Sequence, residues 1–412
     1  SFFVLTPMKK KYIPAYLLTF VNVLGFSILM PVLPFIVAKY GAPQWVYGLL
    51  ITLYSTFQFI GAPILGSMSD QKGRKPILLI SQAGTLLSWI IFLIALYIPN
   101  IYVLGVSVPI MVIAFARIFD GVTGGNNSVT HAYVADVTTR QEKSYIFGYL
   151  GGIAGLGMII GPGLGGLAAS SSLEYTGTVI VALLVSSVTL ISIYAWLKES
   201  HVPATSAKKQ TYSLKKTFLI VSRIREVNPG DKIKLLFLLK VIFATMMAFY
   251  IGSIALFLID LFDFNEKELG MFMFVVGIFL SFNQAFVSKR VIAKIGEFNT
   301  LKIGLACSFI GLLCITFTDN LYLFIAFYYI MNLGLSLSFP TFNSLISIHA
   351  DPSKQGEIMG ISESLNSLAM ALFPVVAAAT YGLIQFNLYY LISAMPLLAF
   401  VIAVMKGKKV GL

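Results

Sequence analysis

What most limits the fold of this chain is a succession of apolar runs, each long enough to cross a bilayer and separated from the next by a short loop. A helix needs about 20 apolar residues to cross the hydrocarbon core. Runs of that kind fall at about 12–38, 45–67, 76–98, 107–131, 144–169, 177–197, 233–258, 268–288, 299–317, 321–346, 357–383 and 386–405. Twelve spans in 412 residues leave roughly 34 residues for each span with its connection. The chain is 58% hydrophobic and 11% charged, with mean hydropathy +0.87. Soluble domains are about 25% charged. So little polar surface cannot coat a globule of this size, and lipid is the expected solvent.

The formal net charge of +12 raises the question of nucleic acid. Its distribution argues for topology instead. Basic residues cluster in every second loop: Lys9–Lys11, Lys72/Arg74/Lys75, Arg140/Lys143, Lys208–Lys234, Lys289/Arg290/Lys294 and Lys406/Lys408/Lys409. The alternate loops carry mainly Glu174, Asp260, Asp263, Glu266, Glu268 and Asp319, with Lys39 and Lys267 as basic exceptions. Basic loops stay in the cytoplasm, so both termini and the 198–234 stretch are expected there. The first run, from Tyr12, is too long for a signal-peptide core and reads as a retained span.

The 198–232 stretch is the one long polar segment, and it divides the chain into 1–197, a linker, and 233–412. Leu214, Phe218 and Val221, at helical spacing beside Lys and Arg, suggest an interfacial helix over 213–227. Two six-span halves joined in this way are the layout of parallel-repeat transporters. The sequence repeat is faint: aligning the second-to-third-span loop with the eighth-to-ninth sets Gly73 against Gly296 and matches little else. Cys307 and Cys314 lie seven apart in one span, about 10 Å along a helix axis, too far to bridge.

Three motifs stand out. Gly66-Ser-Met-Ser-Asp70-Gln-Lys-Gly73-Arg74-Lys75-Pro76 is a turn with glycines at its corners, an acid able to sit against a neighbouring helix's positive end, and basic residues that hold the loop at the inner face. Gly148, Gly157, Gly161, Pro162, Gly165 and Gly166 make a small-residue face with a permitted bend in the fifth span. Arg117-Ile-Phe-Asp120-Gly121 places a costly intramembrane Arg one turn from an acid on the same face. A topogenic loop, a packing face and a structural ion pair are the plainer readings of the three.

Together these strings resemble the signatures of the major facilitator superfamily in its drug/proton-antiporter branch. The first matches that family's loop motif G-x-x-x-D-x-x-G-R-K at every fixed position. The resemblance implies two six-helix pseudo-symmetric bundles of twelve transmembrane helices, an all-α membrane fold. It also implies a conformational latch of Gly66, Asp70, Gly73, Arg74 and Lys75, with Asp136 pairing the arginine. The second string is similar to the antiporter motif, and Arg117 matches the family arginine associated with proton transfer. Asn22-Val-Leu-Gly25-Phe-Ser-Ile-Leu-Met30-Pro31 and Ala135-Asp136-Val137-Thr138 bring the likeness closest to the tetracycline/proton antiporters, mainly in the N-terminal half. Those exporters carry an Asp where this chain has Asn22. Asn cannot exchange a proton, which counts against the usual coupling site and against tetracycline itself.

Asp120, Glu363, Arg117 and His131 are therefore the candidates for proton coupling. Glu363 and Lys240 each lie about two turns into their spans and could pair, or Lys240 could snorkel to the interface. His131 titrates near neutrality, but a lone His there more often hydrogen-bonds a neighbour such as Asn126 or Asn127. Asn22, Tyr54, Gln58, Arg117, Lys240, Tyr250, Gln284, Asn332, Asn343 and Glu363 are the candidate cavity residues.

No Walker-type loop, clustered His/Cys set or nucleophile elbow is present in the sequence, so neither enzyme, cofactor nor metal is expected. The leading expectation is proton-coupled export of a lipophilic or amphiphilic small molecule by a monomer in a bacterial inner membrane. One rival is a carrier of an anionic metabolite, such as a polycarboxylate siderophore or organic acid, with Arg117 and Lys240 receiving carboxylates. Another is a non-transporting receptor on a transporter fold.

Overall fold

The computed structural model describes residues 12–200, 220–351 and 354–411. Almost all of them are helical. In the first half the helices are α1 (Ile13–Ser27), α2 (Leu33–Lys39), α3 (Trp45–Lys72), α4 (Arg74–Tyr97), α5 (Val108–Gly124), α6 (Asn127–Val137), α7 (Arg140–Ala169) and α8 (Glu174–Trp196). After the linker come α9 (Ile220–Val227), α10 (Asp231–Phe262), α11 (Glu266–Phe282), α12 (Lys289–Ile295), α13 (Glu297–Cys314), α14 (Leu321–His349), α15 (Gln355–Ile384) and α16 (Leu388–Val410). Among the described residues ten stretches are long and apolar enough to cross a membrane, and α1 is a shorter apolar helix. The last of the ten, Gln355–Gly407, holds both α15 and α16, separated by a tight 3-10 turn at Gln385–Asn387.

Large apolar side chains point outward at helical spacing, as at Ile80, Leu87 and Ile94 on α4 and Leu184, Val188 and Ile191 on α8. Stripes of this extent on a water-soluble surface would drive association. They fit a chain whose solvent is hydrocarbon, and the protein is an integral, multi-pass membrane protein.

Several expected boundaries move, each for a local reason. The first span is not one helix. Pro31 and Pro34 lack N–H donors, and the chain crosses Ile28–Val32 in turns before α2 resumes. The fourth span runs to Val137 rather than ending near 131, and breaks between α5 and α6 where Gly125 meets the Gly61–Ala62 backbone of α3. The eighth extends to Ile295 through a π-helical turn, Asn283–Ser288. The loop after α4 contains a hairpin, Tyr102–Val103 against Val106–Ser107. Its turn residues Leu104 and Gly105 both have positive φ, 52° and 78°. The expected interfacial helix over 213–227 is described only from Ile220; its earlier part lies outside the described residues.

Two compact units divide the described residues. One draws on 12–42, 53–200 and 266–274, the other on 43–52, 220–265, 275–351 and 354–411. The start of α3 thus groups with the second unit and the start of α11 with the first. In the first unit α1 packs on α7 and α8, and α4 packs on α5 and α8. In the second, α10 packs on α15 and α16, and α13 packs on α14 and α16. The same neighbour relations therefore occur twice along the chain.

The turn glycines repeat as well. Gly73 precedes α4 with φ 95° and ψ 156°, and Gly296 precedes α13 with φ 77° and ψ 166°. Both conformations favour glycine, so the single match found by aligning the two loops marks a shared backbone turn.

The glycine string of α7 makes two close approaches. Gly157, Gly161 and Gly165, four apart, lie on the backbone and small side chains of α1 from Phe20 to Ile28. Gly166 and Pro162 meet Gly270 at the start of α11. Gly148 lies nine residues before Gly157 on the same helix. Around Pro374 in α15, facing helices supply the small residues that α15 lacks: Gly48 of α3 and Gly252 of α10 both rest on its backbone.

Candidate functional site

At the junction of α3 and α4 the loop motif closes around Arg74, whose side chain is only 8% exposed. Its Nε donates to Asp136 Oδ2 at 3.0 Å, and its Nη1 donates to Ser69 Oγ at 2.6 Å and to Asp70. The planar fork of arginine allows such a divergent set of bonds. Lys75 reaches the Tyr194 carbonyl at 3.0 Å. Gly66, one turn before Asp70, faces Ser128 of α6. The expected latch residues Asp70, Arg74 and Asp136 are thus brought together, and all belong to the first unit.

One partner is not legible in the sequence. Glu199, just beyond α8, accepts from the backbone N–H of Arg74 at 2.9 Å and of Lys75 at 3.0 Å. It satisfies donors that the first turn of a helix leaves open, and its charge favours the positive helix end. Ser200 adds a hydrogen bond to Asp136 at 3.3 Å. The signal, an acid directly after the sixth apolar run, was visible, but nothing in its spacing tied it to residue 74.

Deeper in the first unit, Arg117 and Asp120 form an ion pair of 2.8 Å with side chains 4% and 7% exposed. Ser88 and Thr85 of α4 also face the carboxylate. The centre of the Tyr54 ring lies 4.2 Å from the guanidinium carbon, a cation–π contact, and Phe26 stacks with the same ring. Gln58 donates to the Tyr54 hydroxyl at 3.0 Å and to the Gly124 carbonyl at 3.3 Å. The approach is close because Gly121 lies on the α3 backbone at Tyr54. Arg117 Nε is buried with no hydrogen-bond partner among the described residues. Four expected residues (Tyr54, Gln58, Arg117, Asp120) form one cluster, to which Phe26, Ser88 and Thr85 are additions.

Asn22 sits in a separate amide network. It donates to Asn126 and, at 3.0 Å, to Asn127; Asn126 donates to Ser81 Oγ at 2.6 Å, and Ser81 donates to the Thr123 carbonyl at 2.6 Å. Asn22 Oδ1 is left buried without a donor among the described residues. His131 stands edge-on to the Phe147 ring, exposed on α6.

In the second unit, Lys240 is 7% exposed. Its ammonium donates to Asn343 Oδ1 at 3.0 Å, Ser362 Oγ at 2.6 Å and Glu363 Oε1 at 3.1 Å. Lys240 therefore pairs with Glu363 and does not snorkel. Tyr250 is hydrogen-bonded to the Tyr328 hydroxyl. Asn332 donates to the Val276 carbonyl at 3.1 Å, and its own oxygen has no partner among the described residues. Gln284 lies half-buried in the π-helical turn. Lys240, Asn343 and Glu363 share one cluster; Tyr250, Asn332 and Gln284 do not join it. A cavity of about 440 Å³ opens at the start of α13, lined by Gly296, Phe298, Lys302, His349 and Val404 among others; it contains none of the expected site residues.

Residues 15–374 match the family model of the Major Facilitator Superfamily. The class H tetracycline resistance protein of Pasteurella multocida is 28% identical over 387 residues, spanning 91% of this chain and 90% of that protein. The class B protein of Escherichia coli is 26% identical over 89% of this chain and 88% of its own length. The crystal structure of the human organic anion transporter MFSD10 (TETRAN) superposes with a TM-score of 0.69 at 22% identity, covering 96% of this chain and 99% of that one. A peptide transporter structure reaches 0.76 at 14% identity over 99% and 96% of the two chains. A match of this extent, on a helical chain carrying the loop motif around Arg74, shows that the protein belongs to the Major Facilitator Superfamily, whose members are membrane transporters.

Proposed function

We propose that this transporter exports a lipophilic or amphiphilic small molecule in exchange for protons, with twelve spans in two six-helix halves that open alternately to either side of a bacterial inner membrane. Both termini face the cytoplasm and the monomer is the working unit. The observation that carries the reading is the buried Arg117–Asp120 pair under the Tyr54 ring. Charged residues in a membrane span are costly even when paired, and where they occur they mark proton or substrate paths. Asp120 is the carboxylate placed to exchange the proton, since Asn22 cannot. Arg117 modulates it, and Asp70, Arg74 and Asp136 govern the latch. The likeness to tetracycline resistance proteins over nine-tenths of the chain supports export.

The test is flux in proteoliposomes under an imposed pH gradient, with a panel of lipophilic cations, tetracyclines and aryl carboxylates. Wild-type protein should show gradient-driven flux. Asp120→Asn should lose the driven component while keeping exchange at equal pH, and Asp120→Glu should retain both. Driven flux that survives in Asp120→Asn excludes this carboxylate as the coupling site.

A second reading, transport of an anion, is favoured by the buried Lys240 ammonium and by the likeness to a human organic anion transporter.

A further inference from the structure

Lys240 has three N–H donors, and each has an acceptor. The acceptors are not equivalent. Asn343 and Ser362 are neutral, and Ser362 is fully buried. Glu363 carries the charge, yet its side chain is 59% exposed against 9% for Lys240. A buried ammonium stripped of its anion is left uncompensated, whereas a carboxylate with most of its surface open has room to turn away from its partner. Lys240 therefore requires a negative partner, and Glu363 is the partner that can leave.

We propose that Lys240, Ser362 and Asn343 form an anion site that Glu363 occupies at rest, and that the carboxylate of an amphiphilic substrate takes its place while Glu363 accepts a proton from water. The balance is simple. The resting site holds one positive and one negative charge. The loaded site holds the ammonium, the substrate carboxylate and a neutral Glu363, so its net charge is unchanged. Constancy of charge matters inside a bilayer, where an unpaired charge is expensive. At this pair the proton moves with the anion, which leaves proton antiport to Asp120.

Helices α9, α10, α14 and α16 pack against α15, the helix of Glu363. Their charged or titratable groups include Arg223, Arg225 and Glu226 on α9, Asp231, Lys232, Lys234 and Asp260 on α10, His349 on α14, and Lys406 and Lys409 on α16. On α15 itself Glu357 lies nearer the helix start, and Lys354, just before it, holds the Val227 carbonyl. Among the described ion pairs, Lys240 is the partner of Glu363.

The inference rests on the chain being a small-molecule transporter, but its test needs binding alone. Purified full-length protein is titrated with 2-naphthoate, 2-naphthalenesulfonate and neutral 2-naphthamide, following affinity calorimetrically and proton uptake with an indicator dye in weak buffer. Wild type should prefer the anions and take up about one proton per anion bound. Glu363→Gln should bind the anions about tenfold more tightly with no proton uptake, because its resident competitor is gone. Lys240→Gln should lose the preference for anions over the amide. If Lys240→Gln does not fold, Glu363→Gln decides the matter alone. Anions bound no better than the amide by wild type, weaker anion binding in Glu363→Gln, or proton uptake that persists there, each overturns the site. These outcomes are independent of gradient-driven flux, so failure here leaves the export reading standing, and the reverse also holds.

Discussion

Glu199 illustrates what a single side chain can do at a helix start. Its two oxygens take the N–H groups of Arg74 and Lys75, so the linker's first residues are tied to the loop motif. Gly73 makes room: with a side chain there, the first atom would run into the Glu199 carboxylate. Glu199→Ala should cost about 1 kcal/mol, the usual value of a helix cap, and Glu199→Gln less, read as a lower thermal transition in detergent. An unchanged transition in Glu199→Ala would show that water caps α4 equally well. Arg74 and Asp136 could be paired from the motif, and Arg117 with Asp120 from the three-residue spacing of a helix. Glu199 could not, because 125 residues separate it from Arg74 and only the folded chain brings them together. The Tyr54 ring over Arg117 is a similar case: Tyr54 and Gln58 were legible as one helix face, but not what that face covers.

Among the elements, α7 shows how a motif divides into positions that pack and positions that do not. Gly157, Gly161 and Gly165 touch α1, whereas Gly151, Gly152 and Gly155 face open space. Gly161→Leu should therefore push α7 off Ser27 and cost about 1–3 kcal/mol or more, as overpacking does. Gly155→Leu, in the same helix and of the same propensity change, should be tolerated. Thermal unfolding of both variants checks this, and equal losses would mean that helix propensity, not contact with α1, sets the cost. The break between α1 and α2 follows from Pro31 and Pro34 and was readable as chemistry, although the apolar run around them conceals it. The break after Gly124 depends on close contact with α3, and hydropathy carries no trace of that. The π-helical turn at Asn283–Ser288 likewise has no hydropathy signature.

At the scale of the molecule, the alternation of basic and acidic loops makes a prediction about sidedness. With Cys307 and Cys314 replaced by Ser, single cysteines at Gln71 and Asn299 should react with an impermeant maleimide only from the cytoplasmic side. One at Leu104, 99% exposed at the hairpin tip, should react only from the other side. Labelling of Gln71→Cys and Leu104→Cys from the same side would overturn the assigned topology. The internal repeat is the plainest gain over the sequence. A single aligned glycine pair hinted at it, and the recurrence of neighbours in the two units makes it plain. Packing geometry survives divergence that erases residue identity, because many apolar combinations fill the same interhelical space.

The resemblance of its motifs to known signatures pointed to the superfamily, while hydropathy and the placing of Gly, Pro, Arg and Asp determined by themselves that this chain lives in a bilayer and that it is helical. These are properties of solvent and of local backbone chemistry, written residue by residue. The tertiary structure alone decided partnership: Glu199 on the start of α4, Tyr54 over Arg117, Asn22 among amides, and Lys240 held by Asn343, Ser362 and Glu363. Each joins residues far apart in the chain, and within hydrocarbon a polar group must find such a partner because there is no water to serve in its place.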